Sequence, residues 1–127
     1  MQGDIADRIS GAQVPEVVRV ISALGPEEAT ENLIQLIELS GHRAYPVREA
    51  AARKLGEAKA KEAIPVLLKL TLEEEEGDRH VRRAAVNALV NYRGAEVEKA
   101  LDAATYDSAL NVRADAERAL AVVRGRP

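Results

Sequence analysis

The sequence predicts an all-α fold, a solenoid of about three and a half stacked helix pairs. Three regularities predict it. The pattern V-R-x-x-A-x-x-x-L occurs at Val47-Arg48/Ala51/Leu55, at Val81-Arg82/Ala85/Leu89 and at Val112-Arg113/Ala116/Leu120, with offsets of 34 and 31 residues. A separate set, Leu33, Leu67 and Leu101, recurs every 34 residues, as do Leu36, Leu70 and Ala104. Finally, Gly25, Gly41, Gly56, Gly77 and Gly94 fall where helical periodicity stops, as glycines just past helix ends do. A repeat of this length buries its apolar face only against its neighbours, so one domain over 1–127 is expected. Its parts are repeat 1 (about 14–40), repeat 2 (about 44–76), repeat 3 (about 78–106) and a terminal half-repeat (about 108–124).

Each element follows from local pattern. Residues 4–10 suit a short helix capped by Asp4, with Ile5 and Ile9 on one face and Gly11 ending it. Val17, Val20, Ile21 and Leu24 mark an amphipathic helix from about Pro15 to Leu24. Pro26, Glu27 and Glu28 open a second helix, which the apolar period carries unbroken to about Leu39. The second repeat starts near Tyr45-Pro46, and Gly56 is expected to close its first helix. A polar loop, 57–61, follows, and Pro65 sits in the first turn of the partner helix, where no intrahelical amide is lost. Glu73–Glu76 then form an acidic exit, expected to be solvated. Asp78 caps the first helix of repeat 3, Val97, Leu101 and Ala104 mark its second, and a last helix runs over about 108–124 with none after it. The expected core is Val17, Val20, Leu24, Leu33, Leu36, Val47, Ala51, Leu55, Leu67, Leu70, Val81, Ala85, Leu89, Leu101, Val112, Ala116 and Leu120.

Composition narrows the chemistry. Cys is absent, so thiol nucleophiles, thiolate metal sites and disulfides are excluded. A net charge of −3 gives no basic footprint for phosphate, so no nucleic-acid partner is expected. No stretch approaches the roughly 18 apolar residues of a membrane span, and the N-terminus lacks the pattern of a secretory leader. No membrane partner and a cytoplasmic location are the resulting expectations. With no Phe or Trp, the core must be built from small aliphatic residues.

Arg48, Arg82 and Arg113 stand in register. Their guanidinium groups suit an anion-binding ladder, but they suit better a structural ladder that reaches loop carboxylates or helix-end carbonyls of adjacent repeats. Asp78 and Asp107, just ahead of two of them, favour the second reading. His42 and His80 lie about one repeat apart, too far to share an ion, so no metal is expected. No catalytic constellation and no phosphate loop are present, so neither enzyme activity nor a cofactor is expected.

Val47-Arg48 through Leu55-Gly56, followed by Ala63-Ile64-Pro65-Val66-Leu67-Leu68, resembles a HEAT-like repeat of the bilin-lyase type. The resemblance covers 44–124 well and 14–40 more weakly, since repeat 1 lacks the Val-Arg pair. It implies a right-handed α-α superhelix with first helices on the convex side and second helices on the concave side. The iron-binding His-Glu pairs of one HEAT-like enzyme family, deoxyhypusine hydroxylase, are missing, because Arg43 and Val81 follow the two histidines.

The function expected is a non-enzymatic scaffold that holds a protein or peptide on its concave face. The alternative is a bilin-lyase-like enzyme or subunit acting on a tetrapyrrole. On the second helices, positions opposite the core stripe are Glu31, Gln35 and Glu38, then Pro65, Lys69 and Leu72, then Lys99, Ala103 and Tyr106. Gln35, Glu38, Lys69, Leu72, Lys99 and Tyr106 are the candidate binding residues, with Leu72 and Tyr106 as anchors. The last helix has no helix beyond it, so Ala121 and Val122 are expected to support a weak homodimer.

Overall fold

Period-3.6 stripes become helices throughout. The computed structural model describes residues 4–126, and among these there is no strand. The elements are α1 (Ile5–Ile9), α2 (Val14–Ser22), α3 (Pro26–Glu31), α4 (Leu33–Leu39), α5 (Tyr45–Ala58), α6 (Ile64–Leu70), α7 (Arg79–Leu89), α8 (Ala95–Ala104) and α9 (Leu110–Arg124). A single 3-10 turn, Lys61–Ala63, leads into α6.

The first helices α2, α5, α7 and α9 pack side by side in chain order. The second helices seat against the next first helix: α3 and α4 on α5, α6 on α7, α8 on α9. Fifteen of the seventeen expected core residues are buried, while Val20 and Leu33 are only partly so. Each fully buried leucine or valine contributes about 1.5–3 kcal/mol, which makes this aliphatic stripe the main source of stability. Ile5, Ile21, Val86 and Val97 are fully buried as well.

Several boundaries differ from expectation. The second helix of repeat 1 is not continuous; it breaks at Asn32. The buried Asn32 side chain accepts a hydrogen bond from the Ile5 amide at 3.2 Å and donates to the Glu28 carbonyl at 2.8 Å. The break thereby ties α1 to the first repeat. Gly56 does not end α5, which runs on to Ala58 and stops at Lys59 in the left-handed region (φ 52°). Gly56 is instead a contact point: a Cβ there would lie 2.8 Å from Ala88 Cα and Cβ on α7. Of the glycines expected just past helix ends, Gly41 follows the Ser40 C-cap of α4, whereas Gly25 and Gly94 (φ 126°) instead start helices, as the N-caps of α3 and α8.

N-terminal signals behave as chemistry dictates. The Asp4 side chain accepts from the Asp7 amide, and Asp78 accepts from the amides of His80 and Val81. Lys54, buried on α5, donates to the Leu24 carbonyl at 2.8 Å and pairs with Glu57 at 3.2 Å, closing the end of α2.

Candidate interaction surface

The three arginines lie one turn inside α5, α7 and α9, all facing the loop ahead of their own helix. Arg48 grips Glu76 with two parallel bonds, Nε to Oε2 at 2.8 Å and one terminal nitrogen to Oε1 at 2.9 Å. Arg82 grips Asp107 the same way, at 2.8 and 3.0 Å. The remaining terminal nitrogen of each arginine donates backwards: Arg48 to the carbonyls of His42 and Arg43, Arg82 to Glu76, Arg113 to Asp107 and Ser108. Each acid also accepts an amide at the start of the following helix, Glu76 from Asp78 at 3.0 Å and Asp107 from Ala109 at 2.8 Å. The result is a hydrogen-bonded chain along one end of the stack that fixes the register of successive repeats.

This chain corrects two sequence readings. Glu76 is not part of a solvated run; it is buried under Arg48, and Glu73 is held by Ser108 and lies 3.8 Å from Arg82. Asp78 serves its own helix as cap, so the acid that meets the neighbouring arginine stands two residues earlier. The Glu76 hydrogen bond raises the Arg48 guanidinium above its ordinary value against the opposing effect of burial, and Asp107 does the same for Arg82. Counting six residues back from each arginine gives His42, Glu76 and Asp107, a regularity that locates all three. In the first of these places, His42 Nδ1 accepts the Ala44 amide at 2.9 Å, doing for α5 what the acids do for the later helices. Repeat 1 has Val17 where the arginine would stand, so no acid is needed there.

A third buried acid, Asp115, locks α7 to α9. Asp115 accepts from Arg83 Nε at 2.6 Å and from Asn87 at 2.9 Å, with Arg118 on its other oxygen. Burial disfavours its charged form, yet the hydrogen bonds from Arg83 and Asn87 and the charges of Arg83 and Arg118 outweigh that and hold the carboxyl below the usual range. Tyr92 is buried and donates to the Leu55 carbonyl; burial pushes its phenol above the ordinary value. His80 stacks on Tyr45 with ring centres 5.4 Å apart, and its Nδ1 lies 3.2 Å from Asp78. Among the described residues no group of His, Asp or Glu is arranged to hold a metal ion. No described helix is long and apolar enough to cross a membrane.

With these groups absorbed by the fold, the surface of the second helices remains. Glu31, Glu38, Pro65, Lys69, Leu72, Lys99, Ala103 and Tyr106 are exposed, and Gln35 partly so. Adjacent second helices are separated by grooves. One, of ≈ 510 Å³, runs between α4 and α6, with Ile37, Val66 and Leu70 in its walls and Arg43, Lys69 and Glu75 at its edges. Another, of ≈ 150 Å³, lies between the end of α6 and α8, walled by Leu72, Ala100, Ala103 and Ala104. Leu72, 38% exposed, and Tyr106, 81% exposed, do not stand on the second helices as expected; each lies in the turn two residues past the end of α6 or α8. Lys69 is drawn toward Glu75 at 3.5 Å. The first-helix side carries a groove of ≈ 290 Å³ between α5 and α7, but its walls are mostly charged or amide groups: Glu49, Arg53, Glu57, Arg83, Asn87 and Asn91.

Residues 33–121 match a family model of HEAT repeats. No curated protein matches the chain.

Proposed function

Because the chain belongs to the HEAT-repeat family, we propose that it is a non-enzymatic scaffold that holds another protein or peptide on its second-helix face. Repeats of this family form helical scaffolds that often mediate protein interactions. In this reading the stack is a right-handed superhelix of about three and a half helix pairs whose second helices line the concave side. The carrying observation is the exposure of Leu72 and Tyr106 in the turns that follow α6 and α8, with Leu72 lining the groove walled by Ala100, Ala103 and Ala104. Large apolar and aromatic side chains rimmed by charge are what interface centres use. Gln35, Glu38, Lys69 and Lys99 supply the rim, acidic at the first row and basic at the later two. A tetrapyrrole would want apolar or aromatic walls, and no tyrosine lines any of the three grooves, so the bilin-lyase alternative is not adopted.

Photo-crosslinking tests which face is used. A benzophenone side chain at position 106 is compared with one at position 53, exposed on the first-helix side. The proposal expects partner adducts from position 106 and none from position 53; the reverse pattern would overturn it. Self-association through the exposed Ala121 and Val122 is a separate proposal, resting on different side chains.

A further inference from the structure

In two successive repeats the arginine fork is filled by a carboxylate from the next interrepeat loop. Arg113 is oriented like Arg48 and Arg82, since the same terminal nitrogen donates to Asp107 and Ser108 carbonyls at 2.8 and 3.1 Å. Its Nε and other terminal nitrogen have no acidic partner among the described residues. The guanidinium is therefore held in place with its two-pronged edge open.

The face around it is also open. Arg83 and Asn87 of α7 reach Asp115, so the α7 side bearing 83, 86, 87 and 90 is the one that meets α9. Shifting by 31 places Ala114, Glu117, Arg118 and Ala121 on the corresponding outward side of α9. There Glu117 stands where α7 has the fully buried Val86, and it is exposed and makes no ion pair among the described residues. Leu110, 72% exposed, and exposed Ala114 and Ala121 extend the same stripe.

We propose that this face takes a second copy of the chain, α9 against α9 and antiparallel, with Arg113 of each copy gripping the partner's Glu117. The argument is self-complementarity. Arg113 and Glu117 are one turn apart, so a two-fold axis crossing α9 between them sets each fork against a carboxylate and returns the contact. The apolar stripe from Leu110 to Ala121 then faces its own image. Head-to-tail stacking does not satisfy the fork. The residue two positions ahead of the α2 N-cap, Gln13, is Gly11, so the first-repeat end offers no carboxylate in the place of Glu76 or Asp107.

Sedimentation velocity across a concentration series, with charge reversals, tests the pairing. Wild-type protein should show a sedimentation coefficient that rises with concentration. Glu117→Arg should remove that rise with helical circular dichroism unchanged, because Glu117 is exposed. Arg113→Glu should remove it too, and mixing the two variants in equal amounts should restore association, since only the mixed pair recreates both ion pairs. Should Arg113→Glu prove unstable, Glu117→Arg alone decides. Wild-type protein that stays monomeric, Glu117→Arg protein that still associates, or a folded mixed pair that does not recover would overturn the proposal. A carboxylate from a different protein at Arg113 would leave the wild type monomeric, and so falls among these contrary results.

Discussion

Arg82 and Asp107, 25 residues apart on α7 and in the loop before α9, form a two-pronged ion pair with both side chains almost wholly out of water. Removing one side of a buried pair leaves an uncompensated charge, which costs more than the pair itself contributes. Arg82→Ala should lower stability by about 3 kcal/mol, or roughly 10 °C in melting temperature. Arg113→Ala, which strands no carboxylate, should cost the monomer only about 1 kcal/mol. Denaturant unfolding of both variants at micromolar concentration checks the order. Equal effects, or an Arg82 variant of unchanged stability that has lost a partner, would count against a structural ladder.

Close approach at Gly56 gives a second expectation. Alanine is the better helix former by about 1 kcal/mol, yet its Cβ would meet Ala88 at 2.8 Å. Overpacking of that kind costs about 1–3 kcal/mol, so Gly56→Ala should be neutral to destabilising rather than stabilising. Adding Ala88→Gly should not recover the loss, because the Ala88 Cα, also 2.8 Å away, remains. Gly56→Ala raising the melting temperature would show that α5 and α7 are further apart than described.

Acid titration probes Asp115. Its folded carboxyl titrates below the usual range, whereas in the unfolded chain it titrates near the ordinary value of about 3.9. A depressed folded value contributes stability that is present above the unfolded value and lost as pH falls through the folded one. Wild-type protein should therefore exceed Asp115→Asn in stability at neutral pH, with the gap closing below about pH 4. A gap independent of pH would mean that Asp115 acts by shape alone.

Much of this was legible from residue order, and what was not has identifiable causes. The arginines stood out because the helix face that carries them repeats. Glu76 did not, because it ends a run of four glutamates and only the turn after α6 decides which of them folds inward. The break at Asn32 was invisible because the apolar period runs straight through it, and the partner of its side chain, the Ile5 amide, is far away in the chain. Gly56 looked like a helix end because a glycine permits a stop, but α7 needs the same missing Cβ for contact. The binding ridge was found by elimination from the core stripe, and all but one of its nine positions are exposed, with Gln35 partly covered.

The claim that the second-helix face binds a partner is tested most directly by Leu72→Glu combined with Tyr106→Glu. Affinity capture by the double variant and by wild-type protein would be compared from the same extract, with circular dichroism on both. The variant is expected to keep its helical signal and lose the proteins that the wild type retains. Undiminished capture would contradict the placement of the site, and loss of helical signal would show that Leu72 and Tyr106 belong to the core.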